Sequence, residues 1–452
     1  MAIALAYVGV IVGAGLSSGQ DLLQYFLSFG TEGLAGVVLL GILNIIFGNI
    51  MVTLGSYYRS GSHYEVLEKI AHPVIHKVID AALIISSFVM GFVMVAGAGS
   101  NINQQFGIPV WAGALLCSVL IVVTAYLDFD RITHVLGVFT PVIVVMILLI
   151  TGYTFIGHTY DFQALDAAAR TIKPAMPSLW FSVVNYFTLC AMTGVSMAFV
   201  LGGSVVRIGV AEKGGTIGGL LVGIIVTCAS LVLFAHIDTV KNADIPMLEV
   251  VNEIHPSLAL VYALTISALI FNTAFSLYYA IARRFSDGDI KRMRMIMIAV
   301  TVTGYICSFG GFKQLVGIMY PILGCLGMVL LAVLLSAWYR ERDNIRLEMY
   351  LRRMMIRLVL KHHDEDEVLT KKDVHLFHRL GEASAADTAD IKDGVREFAG
   401  NVADKHDDLR GFADEHLPVD RDILLEHLER KEGETAGADG AGTADFSDKS
   451  AN

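Results

Sequence analysis

Charge is scarce in this sequence: Asp, Glu, Lys and Arg make up 17% of 452 residues, against 55% apolar. What charge there is gathers between long apolar runs and toward the C-terminal end, and that tail supplies the negative balance. A water-soluble domain would spread its charges over its surface, so the pattern points to bilayer spans. Cysteine is sparse as well. Cys117, Cys190, Cys228, Cys307 and Cys325 all sit inside apolar runs, without CxxC spacing, which argues against a disulfide framework or a zinc site. They read as small buried hydrophobes. No Walker loop, nucleophile elbow or HExxH occurs, which disfavours an enzyme, and nothing calls for an organic cofactor or a nucleic-acid partner. His72 and His76 are interrupted by Pro73 and lack an acid ligand, and the run from His362 to Glu367 reads as solvated charge.

The apolar runs predict an all-α integral membrane protein of about ten spans, each near the ~20 residues that cross the hydrocarbon. The expected spans are Ala2–Gly30, Leu34–Tyr57, Val78–Ile102, Ile108–Leu127, Ile132–Ile156, Leu179–Ser204, Gly214–Ile237, Leu258–Ala282, Met293–Phe309 and Leu315–Trp338. Ala2–Val12 resembles a signal-peptide core, but no basic residue precedes it and the helical pattern resumes at once, so it is read as part of a span. It lacks the usual short leading segment, so the natural start is expected to lie upstream.

Basic residues mark alternate connections: Arg59, Lys69 and Lys77; Arg207 and Lys213; Arg283 to Arg294; and Arg340 to Arg357. With ten spans these share one side, and the positive-inside rule puts both termini in the cytoplasm of a cell-membrane protein. Trp111, Trp180 and Trp338 fall at span ends, as an aromatic belt requires. The chain divides into a membrane domain (1–339), a helical amphipathic and acidic tail (340–432) and a Gly-, Ala-, Ser- and Asp-rich end (433–452) expected to be disordered. Met349, Leu351, Met354, Met355 and Leu358 among arginines suggest that 340–361 lies on anionic lipid headgroups, the alternative being a solvated extension of span ten.

Ten spans make two sets of five, and an odd set inserts in opposite orientations, giving two inverted five-helix repeats. Glycine-interrupted spans at matching positions then mark a transport site. Span one carries Gly13, Ala14, Gly15, Leu16, Ser17, Ser18 and Gly19. Its glycines permit unwinding, and Ser17 with Gln20 has the spacing of a capping box for a second half-helix. Backbone N–H groups exposed there would hold a substrate carboxylate; alternatively the glycines serve close packing. In span six, Thr193 before Gly194 suggests a second, weaker break, with Tyr186, Phe187, Thr188 and Met192 as pocket or packing residues. Ala96 to Asn101 of span three offers a small-residue face to the broken spans. Asp21 is a carboxylate deep in an apolar run, expected to face a cavity as gate, amine ligand or proton carrier, or to stabilise a helix start. Thr265, Asn272, Ser276 and Tyr279 share one face of span eight, beside Thr273, and should look inward.

The run Gly13-Ala14-Gly15-Leu16-Ser17-Ser18-Gly19-Gln20-Asp21 resembles the first-span motif of the YkvI-like membrane proteins, a branch of the amino acid–polyamine–organocation superfamily. It departs from that motif at Leu16, where the family has an aromatic residue, and at Asp21, which keeps the acid. Phe187-Thr188-Leu189-Cys190 is similar to the broken sixth span of neurotransmitter–sodium symporters, and Ile245-Pro246-Met247-Leu248 to their outer-loop helix. The resemblance covers about Ala2 to Arg340. It implies a LeuT-like fold with the first and sixth helices broken, and ion-driven transport of an amino acid or similar zwitterion. It also implies a sodium ion held by Asn272, Thr273 and Ser276 and by carbonyls near Val12 and Gly15, a reading favoured over proton coupling because span five has no lysine. The competing expectation is a non-transporting sensor or scaffold that signals through the tail. A channel is disfavoured for lack of a charge ring or filter-like repeat.

Overall fold

The structure is a computed structural model and describes residues 1–12, 17–59, 63–126, 139–156, 159–364, 370–406, 408–420, 422–424 and 428. The expected disordered end 433–452 lies outside them. The described chain is helical, with no strand among its residues. In order, the helices are α1 (Ala2–Ile11), α2 (Gln20–Tyr25), α3 (Thr31–Tyr58), α4 (His63–Ile70), α5 (Pro73–Phe106), α6 (Val110–Thr124), α7 (Phe139–Phe155), α8 (Phe162–Ala169) and α9 (Leu179–Gly203). Then follow α10 (Ile208–Ala235), α11 (Ile237–Val240), α12 (Pro246–Ile254), α13 (Pro256–Arg284), α14 (Ile290–Cys307), α15 (Phe312–His363), α16 (Lys371–Ala383), α17 (Thr388–Ala403) and α18 (Leu409–His416). Seven of these are long and apolar enough to cross a membrane: α3, α5, α9, α10, α13, α14 with its following turn, and α15; α6 and α7 are shorter apolar helices. Together with the divided first span they fall on the apolar runs of the sequence.

Local chemistry sets the ends. His72 caps α5 by accepting from the Val74 N–H, Pro73 opens it, and Gly107 closes it at a φ of 69°. His255 and Pro256 open α13 in the same way, the ring accepting from Ser257 N–H. Proline suits a first turn, whose N–H has no partner in any case. The Ile245–Leu248 stretch does begin a helix, α12.

The chain forms two compact units, the first being 1–50, 67–198 and 214–335. Within it α3 and α10 meet along a glycine seam. A Cβ on Gly219 would fall 2.2 Å from the Asn44 carbonyl oxygen, one on Gly215 2.2 Å from that of Gly48, and one on Gly223 2.9 Å from the Gly41 Cα. Small residues let helix backbones touch where no hydrophobic force between spans is available. Asn49 closes the seam with a 2.9 Å hydrogen bond to Thr216 Oγ1. Gly219→Ala should therefore cost about 1–3 kcal/mol by overpacking. A fall in melting temperature in detergent would show it; an unchanged melting temperature would mean that the seam can open freely.

In the small-residue stretch of span three, Gly97 abuts Phe312 and Gly99 abuts the Val110 carbonyl. Asn101 reaches α13, donating to the Ala263 carbonyl and Ser267 Oγ. One expectation for this unit changes: span six is unbroken, α9 running continuously through Thr193 and Gly194. The Thr193 hydroxyl turns back to the Leu189 and Cys190 carbonyls of its own helix. That back-bonding satisfies the hydroxyl without a cap, and one glycine costs a helix only about 1 kcal/mol.

The second unit is 51–66, 199–213 and 336–452. Its backbone is the later part of α15, a helix of 52 residues, about 78 Å at 1.5 Å per residue. Leu351, Met355, Ile356 and Leu360 on α15 pack with Phe377, Leu380, Ile391, Val395 and Ala399 into one buried core. Thr370 and Asp373 form a capping box on α16, Asp387 caps α17 and Asp408 caps α18. The apolar face expected to rest on anionic lipid headgroups at 340–361 is thus covered by protein. α15 does continue past the span, but as the central helix of a folded tail.

Arg352 lies inside this unit with 1% exposure. It donates to Glu348 at 2.8 Å, to the Ser56 and Tyr57 carbonyls at 2.8 Å each, and to the Val206 carbonyl at 3.2 Å. Ser56 and Tyr57 close α3, so the guanidinium supplies donors to carbonyls that a helix C-terminus leaves unpaired. Glu348 in turn accepts from Ser384 Oγ and Ala385 N–H.

Candidate functional site

α1 stops at Ile11, with Val12 N–H still bonded to the Val8 carbonyl. Gly13, Ala14, Gly15 and Leu16 lie outside the described residues. Ser17 and Ser18 are buried and helical, Gly19 turns into the left-handed region at φ 79°, and α2 begins at Gln20. The first span is therefore divided where its glycines cluster. The Ser17–Gln20 capping box is not formed: Gly19 holds the cap position, and Gln20 N–H reaches Ser18 Oγ at 3.3 Å. Only glycine enters that φ without strain, and a Cβ there would meet a Leu233 methyl at 2.8 Å. The Tyr262 hydroxyl secures the segment from α13, donating to the Ser17 carbonyl at 2.9 Å.

Asp21 sits in the first turn of α2 with 2% exposure. One carboxylate oxygen accepts from the Tyr186 hydroxyl of α9, the other from Leu22 N–H at 3.0 Å. The Tyr186 ring stands between Tyr25 at 5.1 Å and the edge of Phe26 at 5.4 Å. Cys190, one turn further along α9, and Tyr320 of α15 lie near Asp21. Among the described residues no Lys, Arg or His pairs with this carboxylate. The side-chain amide of Gln20 and the hydroxyls of Tyr7 and Tyr320 are buried without a hydrogen-bond partner among the described residues. An unpaired buried polar group costs about 1–3 kcal/mol, so each is open to a polar partner.

The remaining sequence-chosen residues fall elsewhere. The Phe187 ring meets that of Phe47 at 4.8 Å, tilted by 42°. Thr188 Oγ1 donates to the Asn185 and Gly324 carbonyls, joining α9 to α15. Met192 lies over Gly327 of the same helix. These three bind helices together, while Tyr186 alone of the α9 set reaches Asp21. Asn272, Thr273 and Ser276 are half-buried on α13, and the Asn272 side-chain amide oxygen has no hydrogen-bond partner among the described residues. Among the described residues no hydrogen bond joins them to Val12. Tyr262, which holds the Ser17 carbonyl, and Tyr7 and Tyr320, with buried unpartnered hydroxyls among the described residues, are candidates that sequence reasoning passed over. Their signal was a phenol inside an apolar run, too common to single out.

No family model matches the sequence. The chain is homologous to two proteins of Bacillus subtilis (strain 168). It is 26% identical over 345 residues to the uncharacterized membrane protein YkvI, covering 76% of this chain and 97% of the relative. To the uncharacterized protein YyaD it is 25% identical over 332 residues, covering 73% and 94%. Among solved structures, MhsT in complex with L-phenylalanine matches 89% of this chain and 97% of its own at a TM-score of 0.51 and 14% identity. At that identity the likeness shows the fold alone, which is LeuT-like.

Proposed function

We propose, from the homology to the YkvI membrane proteins and the LeuT-like fold, that this protein is a secondary transporter of the cell membrane for an amino acid or similar zwitterionic or amine solute. Sodium is its favoured coupling ion, and both termini face the cytoplasm. The carrying observation is Asp21, a buried carboxylate with a tyrosine hydroxyl on one oxygen and, among the described residues, no cation opposite. Ionisable residues at membrane depth face partners or cavities on a transport path. A solute ammonium supplies the missing positive charge, and backbone N–H groups of the divided first span receive its carboxylate. The Gln20 amide and Tyr320 hydroxyl complete the polar lining. Uptake of labelled amino acids into proteoliposomes tests this. Solute-dependent flux supports it, and ligand-induced stabilisation without flux would favour a sensor. That second reading draws on the tail, which has its own buried core and capped helices.

Sodium is assigned to Asn272, Thr273 and Ser276 with the Val12 and Gly15 carbonyls. The unpartnered Asn272 oxygen supports the assignment, since an amide oxygen is a hard ligand. Asn272→Ala and Thr273→Ala should each raise the sodium concentration for half-maximal uptake by roughly tenfold, the equivalent of about 1.4 kcal/mol. Equal uptake in potassium-only buffer that follows a pH gradient would move the coupling role to Asp21.

A further inference from the structure

The second unit holds a cavity of about 270 Å³ between the start of α10, the later part of α15 and the residues closing α18. Arg207, Lys213 and Arg353 line it, with Gly209 at the opening of α10. Arg207 donates to the His416 carbonyl at 2.9 Å, and Arg353 to the Pro418 carbonyl at 3.0 Å. Both guanidiniums are thus held in place by backbone, without a carboxylate on either among the described residues. They are also close to each other: burial first, and the Arg353 charge second, push the Arg207 guanidinium below its usual range. Arg352 also borders the cavity, but Glu348 and three carbonyls occupy it. Among the described residues of the lining the one acid is Glu415, 3.8 Å from His416. Two like charges beside each other, a lysine on the rim and the positive dipole end of a 28-residue helix make a strongly positive hollow.

We propose that this cavity binds a phosphate-bearing anion through Arg207, Arg353, Lys213 and the first N–H groups of α10. Arginine forks match phosphate oxygens two at a time, and a lysine adds a point charge. The cavity lies just below the roughly 300–1,000 Å³ of sites that enclose a drug-sized ligand, so it takes a phosphate group or a small phosphodiester head. α10 continues into a membrane-crossing length of helix. A phospholipid headgroup and free phosphate therefore share the chemistry, and the experiment separates them.

The full-length protein is melted in detergent with sodium phosphate against sodium chloride at equal ionic strength. It is melted again in nanodiscs of phosphatidylcholine with and without phosphatidylglycerol. Stabilisation by phosphate in detergent identifies a free anion as sufficient; stabilisation by phosphatidylglycerol alone identifies the lipid. In either case Arg207→Gln and Lys213→Gln should weaken the apparent affinity at least tenfold. Lys213 is exposed, so its variant carries the test if Arg207→Gln fails to fold. No shift beyond chloride and phosphatidylcholine, or a shift undiminished in Lys213→Gln, overturns the proposal.

Discussion

Arg352→Ala should unfold the second unit, lowering its stability by about 3–5 kcal/mol, as removing one partner of a buried ion pair does. The Arg352 and Glu348 side chains are 2% and 4% exposed. Truncation strands that carboxylate in the interior and deprives the Ser56, Tyr57 and Val206 carbonyls of donors. Arg352→Lys keeps the charge but has no fork to span three carbonyls, so it should recover less than half the loss. Glu348→Leu combined with Arg352→Met should recover more than Arg352→Ala, because it leaves no charge behind. Hydrogen exchange at the α16 and α17 amides reads the effect directly. Protection within about 1 kcal/mol of the unmodified protein in Arg352→Ala would show that the guanidinium is dispensable.

Asp21→Asn should leave the protein folded, since it removes an uncompensated buried charge, and should abolish solute-dependent stabilisation and uptake. Losing a charged hydrogen bond to an ammonium costs about 1.5–3 kcal/mol, roughly ten- to hundredfold in affinity. Tyr186→Phe removes the donor that orients the carboxylate, with a smaller loss in the same direction. Because Phe fills the same space between Tyr25 and Phe26, the packing stays intact. Thr188→Val is the contrast: its hydroxyl joins α9 to α15, so it should lower the melting temperature and spare affinity. Equal affinity in the Asp21→Asn protein would remove the carboxylate from the site.

The sequence carried the spans well because a membrane-crossing helix must bring its own apolar length and satisfy its own backbone. It carried the divided first span for a related reason: three glycines weaken a helix wherever they fall. It did not carry the continuity of α9, because Thr193 serves equally as a cap and as a back-bonding residue. The choice rests on geometry that no spacing encodes. The tail shows the same limit. An arginine-flanked stripe at Leu351, Met355 and Leu358 announces that something apolar covers it, and α16–α18 and a lipid surface satisfy that stripe alike. Of the site, Asp21 stood out by depth alone. Its partner Tyr186 lies 165 residues away, and only folding joins them.

In its ionised form, Asp21 would give the proposed site, when empty, a unit negative charge that no side chain among the described residues cancels. Sodium and a zwitterion together would bring the loaded site to neutrality. Voltage then acts on the unloaded carrier: about 2.3 kcal/mol per 100 mV for a full crossing, and proportionally less for the fraction travelled. An interior-negative membrane drives such a charge outward, so the resting potential hastens the return stroke and leaves the loaded stroke almost untouched.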